Sequence, residues 1–271
     1  MTTAIWVNGV IADTIAVADR GLQYGDGLFE TIDCREGRPR FLALHLARLA
    51  RGSRALAIVL PPLEQLDREL RNAAGLSREP CILKLIVTRG VSDRGYAPPA
   101  GAVPNRILWR IPASPDTAPL CASLGISSMV LAQSPRLAGF KHLNRLEQVL
   151  ARAELSATDD DEAIMLREDG AVVSATAANL FVLRNGQLRT PLIDLAGIRG
   201  ITREVVLREA RVLGIEAIEA RLTLADVAGA EEIFLTSSRV GIWPVARLRG
   251  IALPSPVVGL RLRQHIAALC D

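Results

Sequence analysis

Turn dipeptides divide the apolar stretches of this chain into short paired segments. They are Asn8-Gly9, Glu36-Gly37, Asp169-Gly170 and Asn185-Gly186, and each stands between strand-forming runs. Asn-Gly suits the positive φ angles of a type I′ turn, which joins two antiparallel strands. The pattern therefore predicts hairpins in both halves of the chain.

Helical periodicity occurs between these hairpins. Apolar residues recur every three or four positions in 41–58, where Gly52 marks a point at which the helix could break, and also in 63–74, 202–213 and 258–269. Another helix is predicted to start near Lys141, with Leu143, Leu146, Leu150 and Ala153 on its apolar face. Further strands are predicted at 81–88, 106–111, 233–236 and 243–246. The fold class is therefore α+β.

A proline-rich stretch is the predicted domain boundary. Pro112, Pro115 and Pro119 lack amide donors and have a fixed φ, which favours an extended linker. We therefore predict an N-terminal domain at 1–112, a linker at 113–122 and a C-terminal domain at 123–271.

Composition excludes several classes of protein. The chain is 49% apolar and 23% charged, as expected of a globular protein, and its 32 basic and 29 acidic residues are interspersed, which argues against a nucleic-acid partner. The uncharged stretch 117–136 is too polar for a membrane span. No secretory leader is visible, and the separated cysteines Cys34, Cys81, Cys121 and Cys270 form no metal-ligand spacing. These features predict a cytoplasmic protein with reduced thiols and no metal.

Lysine is scarce, since Lys84 and Lys141 are the only two. A neutral amine is a nucleophile and a base, and Lys141 is predicted at a helix start, where the helix dipole disfavours an added positive charge. The alternative is an ordinary solvated lysine.

Three features suggest phosphate binding. Arg48 lies on the predicted helix 41–58, the segment 197–202 leads into a helix N-terminus at Thr202, and Ser237-Ser238 follows a strand. Each has an alternative as a surface charge, an ordinary N-cap or a turn. Together with a lysine they suggest a phosphorylated aldehyde cofactor.

Ordered motifs then identify a family resemblance. They are Asp-Arg-Gly at 19–21, Tyr-Gly-Asp-Gly-Leu-Phe-Glu-Thr at 24–31, His-Leu-Ala-Arg-Leu at 45–49, Thr-Arg-Gly at 88–90, Arg-Gly-Tyr at 94–96, Lys-His-Leu-Asn-Arg-Leu-Glu at 141–147, Ala-Asn-Leu-Phe at 178–181 and Gly-Ile-Thr-Arg at 200–203. The chain resembles the pyridoxal-phosphate enzymes of fold type IV, the branched-chain and D-amino-acid aminotransferase group. Within that group it is most similar to the 4-amino-4-deoxychorismate lyases, which form 4-aminobenzoate and pyruvate.

The resemblance implies a fold, a cofactor and roles for several residues. It implies a smaller N-terminal α/β sandwich-like domain, a larger C-terminal pseudo-barrel domain and a homodimer. Lys141 is expected to bind pyridoxal 5'-phosphate covalently and to act as general base. The cofactor phosphate is expected to contact Arg48, the backbone of Ile201 and Thr202, and the Ser237-Ser238 pair.

Position 174 departs from the family pattern. The family usually has a glutamate five residues before the asparagine of the Asn-Leu-Phe motif, and this chain has Ser174. A hydroxyl can contact the cofactor ring nitrogen but supplies no negative charge, so we expect a weaker electron sink. This change places transamination in more doubt than elimination, and it also leaves open a catalytically weakened member of the family.

Substrate contacts are predicted from residue chemistry. A substrate with two carboxylates needs cationic or hydroxyl partners, and Arg94, Tyr96, His142 and Asn144 are the candidates. Lys84 is a further cation that could face the same pocket. The remaining histidines, His45 and His265, are expected to orient a helix and to lie on the surface, respectively. A transaminase acting on D-amino or branched-chain amino acids is the competing function.

Overall fold

The structure is a computed structural model that describes residues 3–92, 95–113 and 119–269. Its contacts divide the chain into two compact units. Unit 1 contains Met1–Asp116 and Phe140–Asn144, and unit 2 contains Thr117–Gly139 and Arg145–Cys270. The predicted α+β class is confirmed, and the segment Phe140–Asn144, which carries Lys141, belongs to unit 1. The bounds 1–112 and 123–271 remain a prediction.

Unit 1 is built on an antiparallel sheet. Its elements are β1 (Ala4–Val7), β2 (Val10–Ile11), α1 (Arg20–Tyr24), β3 (Gly27–Arg35), β4 (Arg38–Pro39), α2 (Leu42–Leu56), α3 (Leu63–Gly75), β5 (Cys81–Thr88) and β6 (Asn105–Pro112). The strand order is β2-β1-β6-β5-β3-β4. At the β1–β2 turn, Asn8 and Gly9 have φ values of 55° and 88°, as the Asn-Gly dipeptide predicted.

The core of unit 1 lies between the sheet and the helices α2 and α3. Buried apolar residues from the helices and from the sheet form one cluster, which includes Leu46 and Leu49 of α2, Leu66 and Leu70 of α3, and Ile32, Leu83 and Leu85 of the sheet. Helix α2 continues through Gly52, so the suggested break there is wrong. A Cβ at Gly52 would lie 3.0 Å from the Leu28 side chain, so the glycine allows α2 to approach β3 closely.

Unit 2 contains the longer sheet. Its elements are β7 (Ala122–Leu131), α4 (Leu146–Leu155), β8 (Glu162–Arg167), β9 (Val172–Ala175), β10 (Asn179–Arg184), β11 (Gln187–Pro191), α5 (Ile201–Val212), β12 (Ala217–Ala220), α6 (Leu224–Ala228), β13 (Glu232–Ser237), β14 (Gly241–Leu248), β15 (Ile251–Ala252) and α7 (Val258–Ala267). The order is β12-β11-β10-β13-β14-β7-β8-β9, with β15 on β14.

This sheet curls on itself. The backbone N–H of Val172, in β9 at one end of the strand order, donates to the carbonyl of Leu222 at 2.8 Å, just beyond β12 at the other end. The two ends of the sheet therefore approach each other, as the predicted pseudo-barrel requires. The interior holds apolar residues of several strands, among them Leu124, Ile164, Leu180 and Leu235.

Two features of unit 2 differ from the predictions. Helix α4 starts at Leu146 rather than near Lys141, and its predicted apolar face is exposed, with Leu146 77% and Leu150 54% accessible. The helix packs on its sheet through Ala151 and Leu155 instead. Strand β7 was not predicted at all. No helix in the described ranges is long and apolar enough to cross a bilayer.

Candidate active site

Lys141 lies in an extended segment that adds to the edge of the β3 backbone. Its carbonyl accepts the N–H of Phe29 at 2.9 Å, and the N–H of Leu143 donates to the carbonyl of Gly27 at 3.0 Å. Because these amides pair with β3, the helix starts only at Leu146, and the predicted helix-dipole effect on Lys141 is wrong. The position of the amine is set by strand pairing instead.

Both lysine side chains of the protein approach one aromatic ring. Lys141 Nζ lies 4.1 Å from the ring centroid of Phe29, and Lys84 Nζ lies 5.9 Å from the same centroid. Lys84 is opposite Thr31 in the β3–β5 register, two residues beyond Phe29, so the two side chains lie on one face of the strand. An ammonium over a ring face is attracted to it, so Phe29 helps to fix both amines.

A buried cluster of charged residues lies on the other face of β3. Glu30, His45 and Arg48 are 1%, 1% and 4% exposed. His45 Nδ1 lies 2.6 Å from Glu30 Oε2, and Arg48 Nε donates to Glu30 Oε1 at 2.9 Å while a second guanidinium nitrogen donates to Oε2. The carboxylate therefore orients both of the other side chains. The prediction that His45 orients its helix took no account of Glu30.

Electrostatics set the charge states in this cluster. Burial by itself raises the pKa of Glu30, but the charge of Arg48 and the hydrogen bonds from His45 and Arg48 lower it to about 2. Burial lowers the pKa of His45, and the nearby charges of Arg48 and Lys141 lower it further, although Glu30 acts in the opposite direction. The site thus holds an ionised Glu30 and a neutral His45 at pH 7, and Lys141 is close enough for its charge to act on His45.

The predicted phosphate-binding residues of unit 2 surround the start of α5. Gly200 is the N-cap, no side chain caps the helix, and the amides of Ile201 and Thr202 belong to its first turn. Asn179 holds this turn, because its side chain accepts the N–H of Gly200 at 3.1 Å and donates to the carbonyl of Ile198 at 2.8 Å. A Cβ at position 200 would lie 2.1 Å from Asn179 Oδ1, so only glycine fits there.

A buried hydroxyl next to this turn has no partner. Thr236 Oγ1 is enclosed and makes no hydrogen bond with any described residue. Thr236 lies opposite Asn179 in the β10–β13 register and directly precedes Ser237 and Ser238, which are both half-buried. Unpartnered buried hydroxyls are rare in folded proteins, so Thr236 fits a site that an oxygen-rich ligand completes. Sequence analysis did not single out Thr236, although it precedes the predicted serine pair.

The remaining predicted residues have varied surroundings. Ser174 is half-buried on β9, opposite Met165, and its hydroxyl makes no hydrogen bond within the described ranges. Asn144 Nδ2 donates to the carbonyl of Gly25 at 3.3 Å and lies 3.4 Å from His142 Nδ1. Tyr96 is 86% exposed. Arg94 lies outside the described residues, and the roles of all these residues stay predictions.

Comparison with known proteins shows what the chain is similar to. The profile of the family described as amino-transferase class IV matches residues 27–248. Two relatives are each 34% identical to the chain. A protein provisionally named a branched-chain-amino-acid aminotransferase, from Methanocaldococcus jannaschii, matches over 94% of this chain and 91% of its own length. The aminodeoxychorismate lyase of Vibrio harveyi matches over 92% of both chains.

Solved structures give the same two kinds of neighbour. The crystal structure of 4-amino-4-deoxychorismate lyase from Pseudomonas aeruginosa superposes with a TM-score of 0.91 at 41% identity and covers 97% of each chain. A branched-chain amino acid aminotransferase from T.th., solved with N-(5'-phosphopyridoxyl)-L-glutamate, superposes with a TM-score of 0.86 at 25% identity. That match covers 97% of this chain and 92% of the other.

Proposed function

Because the chain belongs to the amino-transferase class IV family, we propose that it is a pyridoxal-phosphate-dependent lyase. It converts 4-amino-4-deoxychorismate to 4-aminobenzoate and pyruvate, which is a step of folate biosynthesis. The lyases among its relatives support this function, and one observation supports it from within the chain. Two amines, Lys141 and Lys84, approach the ring of Phe29, so a reacting amine and a cation for a substrate carboxylate share one face of β3.

The donor groups of the chain fit pyridoxal phosphate. Lys141 Nζ would hold the aldehyde carbon of the cofactor. The phosphate would bind Arg48, the Ile201 and Thr202 amides and the Ser237 and Ser238 hydroxyls, and the unpartnered Thr236 Oγ1 adds a further donor. When bound, the cofactor supplies an electron sink for the substrate carbon that bears the amine. Ser174 would contact the ring nitrogen.

Lys141 is the base of the proposed reaction. Its Nζ removes the proton from the substrate carbon that bears the amine. The carbon–oxygen bond to the enolpyruvyl group then breaks, and the leaving group takes up a proton to become pyruvate, while the remaining ring becomes aromatic. His45 supports this role, because its lowered pKa keeps it neutral and it adds no second positive charge near Lys141.

Substrate binding requires partners for two carboxylates. Lys84 is the cation that the structure places beside Phe29, and Tyr96 offers an exposed hydroxyl. Arg94, His142 and Asn144 are the other proposed contacts. For Asn144 the described hydrogen bond to Gly25 also supports a structural role, since it ties the Lys141 segment to the end of α1.

Transamination is the second candidate function. It is favoured by the aminotransferase names among the relatives, whereas Ser174 argues against it because a hydroxyl cannot compensate a protonated ring nitrogen. The purified protein with 4-amino-4-deoxychorismate and no keto acid should release pyruvate and 4-aminobenzoate in equal amounts. Product formation that requires an added keto acid would identify a transaminase. If neither reaction occurs with the cofactor bound, the chain is a catalytically weakened member.

We also propose a homodimer. The exposed residues Leu146, Val149 and Leu150 form an apolar stripe on α4, at the spacing of one helix face. Such a stripe is the expected contact for a second copy of the chain. Light scattering should give twice the mass of one chain, and Leu146→Glu with Leu150→Glu should reduce it to one.

A reducing, cytoplasmic location is proposed from the cysteines. Cys34 and Cys81 are free thiols although they face each other in the β3–β5 register, and Cys121 is also free. Titration of the denatured protein, isolated from cytoplasm under alkylating conditions, should find these thiols unpaired.

A further inference from the structure

Arg20 is a buried cation that the proposed reaction does not use. It lies in the first turn of α1 and is 3% exposed. Its guanidinium donates from Nη1 to the carbonyl of Gly95 at 2.9 Å and from Nη2 to the carbonyl of Tyr96 at 2.9 Å. Nη1 also donates to Ser92 Oγ at 3.1 Å. A single side chain therefore holds the backbone of residues 95–96, which we call the Tyr96 loop.

The Tyr96 loop combines a fixed backbone with an accessible side chain. Tyr96 is 86% exposed although its carbonyl is bound to a buried guanidinium. Its ring lies 5.5 Å from the ring of Tyr24, edge to face, and the Arg20 guanidinium lies 4.9 Å from the centroid of Tyr24. Packing of its own side chain therefore does not account for the position of the loop, whereas the Arg20 hydrogen bonds do.

Arg20 is itself held by a second buried network. Its Nε donates to Asp26 Oδ2 at 2.8 Å, and Arg89 Nε donates to the same oxygen at 2.7 Å. Arg89 also donates to the carbonyls of Leu56 and Ala57 at 2.8 and 2.7 Å, at the end of α2. The chain of contacts thus runs from α2, which carries Arg48, through Asp26 to the Tyr96 loop.

We propose that Arg20 is a positioning residue for substrate binding, which sets the Tyr96 loop against the substrate carboxylates while Asp26 and Arg89 fix Arg20 to α2. This inference rests on the proposed function, since it assigns Tyr96 to the substrate. Arg20 touches neither substrate nor cofactor, so its loss should weaken substrate binding and leave the chemical step intact. The planar fork of arginine reaches several acceptors at once, which a lysine ammonium on a thinner chain cannot reproduce.

Arg20→Lys provides the test, with Arg106→Lys as its matched control. Arg106 lies in the same unit and makes a comparable two-pronged contact, to Glu69, away from the loop. For Arg20→Lys we expect the KM of the amino substrate to rise about tenfold, as the loss of one charge-assisted hydrogen bond predicts, with kcat within a factor of two and an unchanged cofactor absorbance band. Arg106→Lys should change neither constant.

Hydrogen exchange gives a second readout that does not depend on activity. In Arg20→Lys, amides of a peptide covering 95–101 should exchange about tenfold faster, while peptides from α2 and β5 keep their wild-type rates. An unchanged KM, or faster exchange throughout unit 1, would overturn the positioning role. A wild-type protein that releases no pyruvate would refute the lyase function instead, and the exchange result would then still decide whether Arg20 holds the loop.

Discussion

Glu30 and Arg48 form a two-pronged ion pair whose side chains are only 2% and 5% exposed. Both guanidinium contacts end on one carboxylate, and His45 binds that carboxylate as well. The cation proposed to bind phosphate is therefore oriented by a buried anion. The orientation of Arg48 is set inside unit 1, by a strand and a helix that are both part of its core.

Replacing Glu30 with glutamine should destabilise the protein strongly. Glu30→Gln leaves the buried charge of Arg48 without its counter-charge, and breaking such a pair costs about 3–5 kcal/mol. Urea unfolding of the cofactor-free protein measures the loss. Glu69→Gln is the matched control, because the Glu69–Arg106 pair is more exposed and should cost only about 1 kcal/mol. Equal losses for the two variants would contradict a special role for Glu30.

Stability should fall with pH in two stages. Folded His45 has a pKa below its ordinary 6.5, so below that pH the unfolded chain binds more protons and the free energy of unfolding decreases. Glu30 has a folded pKa of about 2 against an ordinary 4.5, so its contribution is complete above pH 4.5 and is lost as the pH falls towards 2.

A histidine variant separates the two stages. His45→Asn should remove the decline that begins below pH 6.5, since asparagine does not titrate, and should leave the second decline in place. His265→Asn, at a partly exposed histidine that contacts Glu209, is the control and should keep the first decline. Unfolding free energies measured from pH 8 to pH 4 test this, and an unchanged first stage in His45→Asn would contradict it.

The two lysines should differ in what their removal does. Lys141→Ala should abolish turnover and the visible absorbance band of the lysine-bound cofactor, because no other amine is proposed to bind the aldehyde. Lys84→Ala should keep the band and raise KM, since Lys84 is proposed to contact only the substrate. Borohydride reduction followed by peptide mapping should place the cofactor on Lys141. An adduct on Lys84 would end this assignment.

A glutamate at position 174 should increase transamination. Ser174→Glu supplies a negative charge to the ring nitrogen and strengthens the electron sink, so we expect half-reaction rates with D- or L-amino acids to rise about tenfold. Ser174→Ala, which removes only a hydroxyl without a described partner, should leave those rates as they are. Stopped-flow absorbance measures both, and equal rates in Ser174→Glu and wild type would count against the role of Ser174.

Thr236→Val should have opposite effects on folding and on cofactor binding. Valine has the shape of threonine without the hydroxyl, and a buried unpartnered hydroxyl destabilises a fold by about 1–3 kcal/mol. The cofactor-free variant should therefore be more stable than wild type, while its affinity for pyridoxal phosphate falls. Thr190→Val is the control, since the Thr190 hydroxyl donates to the Leu180 carbonyl at 2.8 Å, and it should lose stability. An unchanged affinity in Thr236→Val would remove Thr236 from the site.

Local chemistry could be predicted wherever neighbours in sequence decide the conformation. The turn residues Asn185 and Gly186 have φ values of 51° and 72°, as their side chains favour. Helix α5 begins at Ile201, within one residue of the prediction. By contrast, β7 was missed because its partners β8 and β14 are distant in sequence and parallel to it.

The sequence by itself determined the hairpins, most of the helices, the family motifs and the choice of Lys141 and Arg48, because residue type and spacing are properties of short segments. Only the tertiary structure decided that Lys141 lies on an extended segment beside β3, that α4 exposes its apolar stripe, that Glu30 orients Arg48, and that the Thr236 hydroxyl has no partner among the described residues. The physical reason is that strand pairing, burial and the lack of a hydrogen-bond partner depend on residues far apart along the chain.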